Sequence, residues 1–224
     1  MNALWKNKIA VLVGDYLLAR GLLLSVDNGD FDLLGISSTA VKAMSEGELL
    51  QLEKSRTLNL QEPEYFDIIR MKTASLIASC CAMGTKSVTD DADTVEAMRQ
   101  FGEYVGIAFQ IKDDLFDYGE DVIGKPTGID LKEKKLTLPM IYAVNQVGRA
   151  EHKKVIKTIA AYDSDRKKFK YLVDFVKNNG GIAYAEAKML EYQNKAFDIL
   201  NGFPPSAYRQ SMHDLVIYTT KREI

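Results

Sequence analysis

Apolar residues recur at steps of three and four along almost the whole chain. No run alternates with the period of two that a half-buried strand needs. The spacing predicts a string of helices over residues 5–27, 32–57, 63–84, 90–118, 137–147, 150–161, 166–179, 181–201 and 206–221. Punctuation agrees with those bounds. Pro63 suits a helix's first turn, with Glu64 and Asp67 near its positive end. Asp90-Asp91 opens the long fourth segment as a cap. Asn179-Gly180-Gly181 and Pro204-Pro205 break the pattern between later helices. One connection is long, residues 119–136, and it is dense in Gly, Lys and Asp. Connections of that length inside a helical domain are often functional. No repeat, low-complexity tract or shift of composition marks a linker, so residues 1–224 read as a single all-α domain.

A chain of 224 residues buries roughly 70% of its unfolded surface, enough for a core without staples. Lys+Arg 29 against Asp+Glu 31 argues against an electrostatic grip on nucleic acid or on an anionic membrane surface. With a hydrophobic fraction of 46%, that low net charge also excludes intrinsic disorder. Cys80 and Cys81 are neighbours inside an apolar stretch. Adjacent cysteines make a poor bridge, so both are expected as reduced core residues in a cytoplasmic protein. Lys6 and Lys8 precede Ile9–Val13, but Asp15 and Arg20 interrupt the run and no cleavage site follows, which argues against a signal peptide. No apolar stretch is expected to approach the ~18–20 residues of a membrane span. A soluble chain without a transmembrane segment is the expectation.

Chemistry concentrates in Phe109-Gln110-Ile111-Lys112-Asp113-Asp114-Leu115-Phe116-Asp117. On a helix Asp113 and Asp117 lie one turn apart, with Asp114 beside them. Like charges at that spacing repel, so inward-facing carboxylates call for a cation. Mg²⁺ prefers oxygen ligands and takes one or two carboxylates plus phosphate oxygens. Backward along the helix the stripe continues through Gln110, Gly106 and Gly102, which reads as a cleft wall with a metal end and an apolar end. A solvated acidic patch is the plainer reading of the same residues. The loop Gly124 to Lys135 follows after seven residues with glycines, Thr127 and several lysines, a composition suited to diphosphate. Alone it reads as a flexible loop; beside the carboxylates it suggests a metal–diphosphate site. Lys72, Ser75 and Ser79 share a narrow polar face in an apolar helix, where a snorkelling lysine is the simpler alternative. Asp15 stands among apolar residues as a possible buried carboxylate, structural rather than catalytic. His152 and His213 lack convergent ligands for zinc. No nucleophile elbow, P-loop or dinucleotide fingerprint is present.

In order, Asn7-Lys8-Ile9-Ala10-Val11-Leu12-Val13-Gly14-Asp15-Tyr16-Leu17, then Lys72-Thr73-Ala74, then Phe109 to Asp117 resemble the trans-isoprenyl diphosphate synthases. Gly124-Lys125-Pro126, Asp130-Leu131 and Lys135-Leu136-Thr137-Leu138-Pro139 continue the match. The likeness covers roughly residues 2–140 and is nearest to bacterial octaprenyl-type, long-chain synthases. It implies an all-α bundle of the isoprenoid synthase type and a Mg²⁺-dependent condensation of isopentenyl diphosphate with an allylic prenyl diphosphate. Asp113, Asp114 and Asp117 match the second aspartate-rich motif, a Mg²⁺ site. Lys72, Thr73, Gln110, Lys125 and Lys135 match residues around the allylic diphosphate, with Lys72 and Asp113 as the catalytic pair. A homodimer is implied in the same way.

The family's first aspartate-rich motif has no counterpart here, because Asp90-Asp91-Ala92-Asp93 has the wrong spacing and lacks the following arginines. The fold is therefore expected to be N-terminally incomplete relative to the family pattern, and the chain by itself to turn over little. Two other classes stay in view. A non-catalytic subunit of a heteromeric synthase usually loses its aspartates, whereas these are intact. A class I terpene cyclase usually carries Asn, Ser or Glu within the second motif.

Overall fold

The computed structural model describes residues 7–119 and 128–222. Among them are eleven α-helices, one π-helical turn and no strand. The order is α1 (Asn7–Asn28), α2 (Phe31–Thr57), α3 (Glu62–Ile69), the π turn Arg70–Ala74, α4 (Ser75–Lys86), α5 (Ala92–Phe116), α6 (Ile129–Lys132), α7 (Leu138–Asn145), α8 (Arg149–Ala160), α9 (Arg166–Asn178), α10 (Gly181–Asn201) and α11 (Ala207–Lys221). The caps sit where side chains can satisfy free backbone donors. Asp91 accepts from Thr94 N at 3.2 Å, and Glu64 Oε2 accepts from Gln61 N at 2.8 Å, with Pro63 in the first turn.

Helix α5 is the central post. It packs against α4, α10, the π turn and α11, and Ile107, Ala108 and Ile111 are fully buried. The main core joins them to Tyr65, Leu138, Met140, Leu172 and Val176 from α3, α7 and α9. Gly102 and Gly106 mark where α4 and the π turn, respectively, press closest. A Cβ on Gly102 would lie 2.7 Å from Ile77 O, and one on Gly106 would lie 2.5 Å from Ala74 Cα. The glycine stripe is therefore a seam between helices and not the apolar end of an open cleft.

The open apolar space lies across α4 instead. A groove of about 710 Å³ runs between α2, the π turn with α4, and α5. Ile36, Ala40, Ala43, Met71, Ala78 and Ala82 line it, and Ser75 and Ser79, two of the three residues on the expected polar face, lie within it. Its rim is charged: Arg70 Nε lies 3.2 Å from Glu103 Oε1, and Arg99 Nη1 lies 2.8 Å from Glu103 Oε2.

Several expectations change. The helix expected over 63–84 is divided by the π turn, and α6 lies inside the expected connection. Only Cys81 packs inward; Cys80 is exposed, since consecutive helical residues point about 100° apart. Burial pushes the Cys81 thiol up to about 11. The largest difference concerns α1. From Lys8 to Asn28 every side chain is exposed apart from half-buried Ser25. Asp15 is thus an exposed carboxylate. Lys8–Asn28 also has a mean hydropathy of 1.8, so this helix is long and apolar enough to cross a membrane by length and composition. Asp15 and Arg20 do not bring that average below what a span by length and composition needs.

Candidate active site

Three aspartates close α5 at its C-terminal end, where the helix dipole disfavours negative charge. Such a placement calls for compensation, and each carboxylate receives a different kind. Asp113 is ion-paired with Arg222, which follows α11. The Arg222 guanidinium lies over the Phe109 ring, 4.2 Å from its centroid. Asp117 turns back to the chain after the connection, and its Oδ1 accepts from Gly128 N at 2.9 Å and Ile129 N at 3.1 Å. Gly128, at φ +79°, turns this backbone toward the carboxylate. Oδ2 of Asp117 is buried and has no hydrogen-bond partner among the described atoms. Burial, and then the nearby charge of Asp130, push the Asp117 carboxyl up to about 6.

Asp114 is the innermost, with 0% exposure. Its Oδ2 accepts from Tyr65 Oη at 2.8 Å. Its Oδ1 accepts from Gln110 Nε2 at 2.9 Å and Lys135 Nζ at 3.1 Å. Lys135 also reaches Asp130 Oδ1 at 3.2 Å. Burial would lower Lys135, but Asp114 and Asp130 outweigh it and hold the ammonium above its ordinary value. Burial raises Asp130, against the pull of Lys135. Tyr65 is held well above its ordinary value by burial and then by the Asp114 charge, so it remains a donor.

Gln110 extends this cluster to the π turn. Its Nε2 serves Asp114, and its Oε1 accepts from Thr73 Oγ1 at 2.8 Å. The extra residue of a π turn changes the direction of the side chains around it, and such turns recur at functional sites. Here Thr73 faces α5 while Lys72 faces α2, with Nζ 2.7 Å from Glu48 Oε2 and 3.2 Å from Gln51 Oε1.

Of the residues singled out by sequence, the structure therefore brings together Thr73, Gln110, Asp114 and Lys135. Asp113 and Asp117 occupy the outer side of the same helix end. Lys72 points away toward Glu48, and Lys125 lies outside the described residues. Tyr65 and Arg222 were missed, and Asp130 carried no assigned role. Tyr65 precedes Lys72 by seven residues, two helical turns, which is a faint signal. Arg222 lies 109 residues from Asp113, and no local pattern announces that pairing.

Among the described residues no three His, Cys, Asp or Glu side chains converge into a metal cage. The donor set is nonetheless all oxygen, and the orphaned Asp117 Oδ2 is a buried acceptor awaiting a positive partner. That chemistry fits Mg²⁺, which completes its shell with water and phosphate oxygens. Asp114 offers least, being enclosed with three donors already on it.

A helical bundle with a carboxylate, amide and lysine cluster at the end of its central post is the isoprenoid synthase fold. The polyprenyl synthetase family profile matches residues 1–176, and the chain belongs to that family. It is 34% identical over 216 residues to the all-trans-nonaprenyl-diphosphate synthase (geranyl-diphosphate specific) of Rhodobacter capsulatus, covering 96% of this chain and 66% of that relative. A decaprenyl diphosphate synthase structure from Rhodobacter capsulatus superposes with a TM-score of 0.90 at 35% identity, covering 99% of this chain and 70% of the other. A polyprenyl synthase from Caulobacter crescentus, solved with calcium and isoprenyl diphosphate, gives 0.88 at 32% identity over 99% of this chain and 68% of the other. The chain thus spans about two thirds of the length of these proteins.

Proposed function

We propose that these residues serve a trans-polyprenyl diphosphate synthase, joining isopentenyl diphosphate to an allylic prenyl diphosphate. The observation that carries the reading is the Thr73–Gln110–Asp114–Lys135 cluster, which fixes an ammonium and a hydroxyl at the acidic end of α5. Loss of diphosphate from the allylic partner concentrates negative charge, and fixed cationic groups lower the cost of that separation. Bound Mg²⁺ would neutralise part of the same charge, with Asp113 and Asp117 as its protein ligands. Asp113 must then exchange Arg222 for the metal. Lys135 would meet phosphate oxygens on releasing Asp130 or Asp114, and Lys72 on leaving Glu48. The groove of about 710 Å³ supplies apolar walls for a prenyl chain and keeps water from a carbocation. The π turn touches both regions, since Thr73 joins the cluster while Arg70 and Met71 line the groove.

The intact aspartates favour this reading over a non-catalytic subunit of a heteromeric synthase. Three aspartates also favour it over a terpene cyclase. The chain is proposed to be cytoplasmic and to pair with a second copy through the exposed apolar residues of α1 and of α2, where Val41, Leu49 and Leu52 are uncovered. Concentration-dependent mass by sedimentation checks that pairing.

The whole reaction is proposed for a protein carrying both walls of the site. With carboxylates on one wall, the 224 residues alone are expected to bind Mg²⁺–diphosphate and form little product. Labelled isopentenyl diphosphate with farnesyl diphosphate and Mg²⁺ tests this, in this chain beside a full-length relative. Asp113→Asn in that relative should lower turnover at least a hundredfold, an effect on the order of one metal contact to the reacting diphosphate. Unchanged turnover would return the subunit reading.

A further inference from the structure

We infer that Tyr65 is a positioning residue for the site: its hydroxyl proton sets the orientation of the Asp114 carboxylate and, through it, the placement of Lys135 and Gln110. This rests on the reading of that site as a diphosphate site. A phenylalanine would fill the core around position 65 equally well, so the hydroxyl matters only for what it touches. It touches Asp114 Oδ2 at 2.8 Å.

The argument is one of counting. An ionised carboxylate offers about four lone-pair sites. Gln110 and Lys135 occupy two on Oδ1, at 2.9 and 3.1 Å. The carboxylate is symmetric about its own axis, so nothing within Asp114 distinguishes one oxygen from the other. Tyr65 supplies the distinction, because it donates to Oδ2 from α3. With that oxygen held, Oδ1 faces Lys135 and Gln110 together. Gln110 is then locked: its amide nitrogen must serve the acceptor Asp114, so its oxygen faces Thr73. Without the Tyr65 proton, Lys135 is free to draw both oxygens, and the Gln110 contact competes with it.

A control is built into the fold. Tyr118 is also buried, and its hydroxyl meets Thr137 Oγ1 at 2.8 Å, with no carboxylate involved. Calorimetric titration of the purified chain with inorganic diphosphate in Mg²⁺ compares wild type, Tyr65→Phe and Tyr118→Phe. Tyr65→Phe should weaken binding by roughly fivefold or more, the loss typical of one buried bond to a charged group. Tyr118→Phe should stay within about twofold. Equal affinity in wild type and Tyr65→Phe, or equal weakening in both variants, overturns the inference.

A denaturant double-mutant cycle over Tyr65→Phe and Lys135→Gln needs no ligand. The two side chains are joined through Asp114, so the unfolding constants should be coupled by at least roughly threefold. Additivity overturns the inference whatever diphosphate does. Should wild type bind no Mg²⁺–diphosphate at all, the diphosphate reading fails and the cycle alone decides for or against Tyr65.

Discussion

Helices α1 and α5 are both long and apolar, and they meet opposite fates. From Phe101 to Asp114 helix α5 is buried on most sides, while the described side chains of α1 lie almost wholly in the open. Apolar content makes a helix need cover but does not decide what provides it. On α5, small residues at 102 and 106 admit α4 and the π turn, and Arg99 and Glu103 mark the side that stays near solvent. Its carboxylates each find a partner elsewhere in the chain. On α1, leucines and valines run around the helix with no polar face, and Gly14 and Gly21 admit nothing. A Cβ on either would meet no atom within 4 Å. The position of the small and charged residues, more than hydrophobicity, tells which apolar helix the chain covers with itself.

One substitution made in both helices sharpens that contrast most. Gly106→Ala places a methyl 2.5 Å from Ala74 Cα, where backbone and not a flexible side chain must yield. The expected cost is about 2–3 kcal/mol by urea unfolding, despite alanine's better helix propensity. A cost under about 0.5 kcal/mol would show that the seam is loose and that the π turn can shift.

Next in size is the pH response of the carboxylate end of α5. The Asp117 carboxyl stands at about 6 in the fold and near 3.9 in an unfolded chain. Between those values the folded state binds more protons than the unfolded state. Stability from this group is therefore present at low pH and is lost as pH rises from about 4 through 6. After allowance for partial exposure the loss is about 1–2 kcal/mol. Asp117→Asn should remove that component from unfolding free energies measured without divalent cation. An identical pH profile in the variant would place the burial cost of Asp117 elsewhere.

These residues also show what was legible in sequence. The helices and their caps could be read because periodicity, proline and N-cap chemistry are local signals. The cluster could be read in part, because Gln110 and Asp114 share one helix and the lysine-bearing segment follows soon after. Tyr65 could not, since a tyrosine in an apolar helix looks the same whether it fills space or grips an aspartate. The π turn was hidden for a related reason: Ile68 to Leu76 keeps helical hydrophobicity across it, and only the split directions of Lys72 and Thr73 reveal the extra residue. Exposure of Asp15 was misjudged because apolar neighbours imply burial without naming the surface that provides it.

In α1 the glycine substitution should reverse sign. Gly14→Ala and Gly21→Ala meet open space, so each should stabilise by about 0.5–1 kcal/mol through helix propensity. Destabilisation by either would mean that something lies against this helix in solution.

The smallest expected effect is also the one that most directly tests α1. Leu17 and Leu24 are 63% and 64% exposed, so Leu17→Ser and Leu24→Ser remove little buried surface. At low protein concentration each should change unfolding free energy by no more than about 0.5 kcal/mol. The same substitutions in a core helix cost several times that, because buried leucine loses its transfer energy and leaves a cavity. A loss above about 2 kcal/mol in α1 would therefore be evidence of cover. If that loss grows with protein concentration, a second copy provides the cover. If it appears only with lipid vesicles, a bilayer does, and the length and hydropathy of Lys8–Asn28 acquire a function. If neither condition alters it, α1 folds back onto its own chain in solution, and the contrast with α5 disappears.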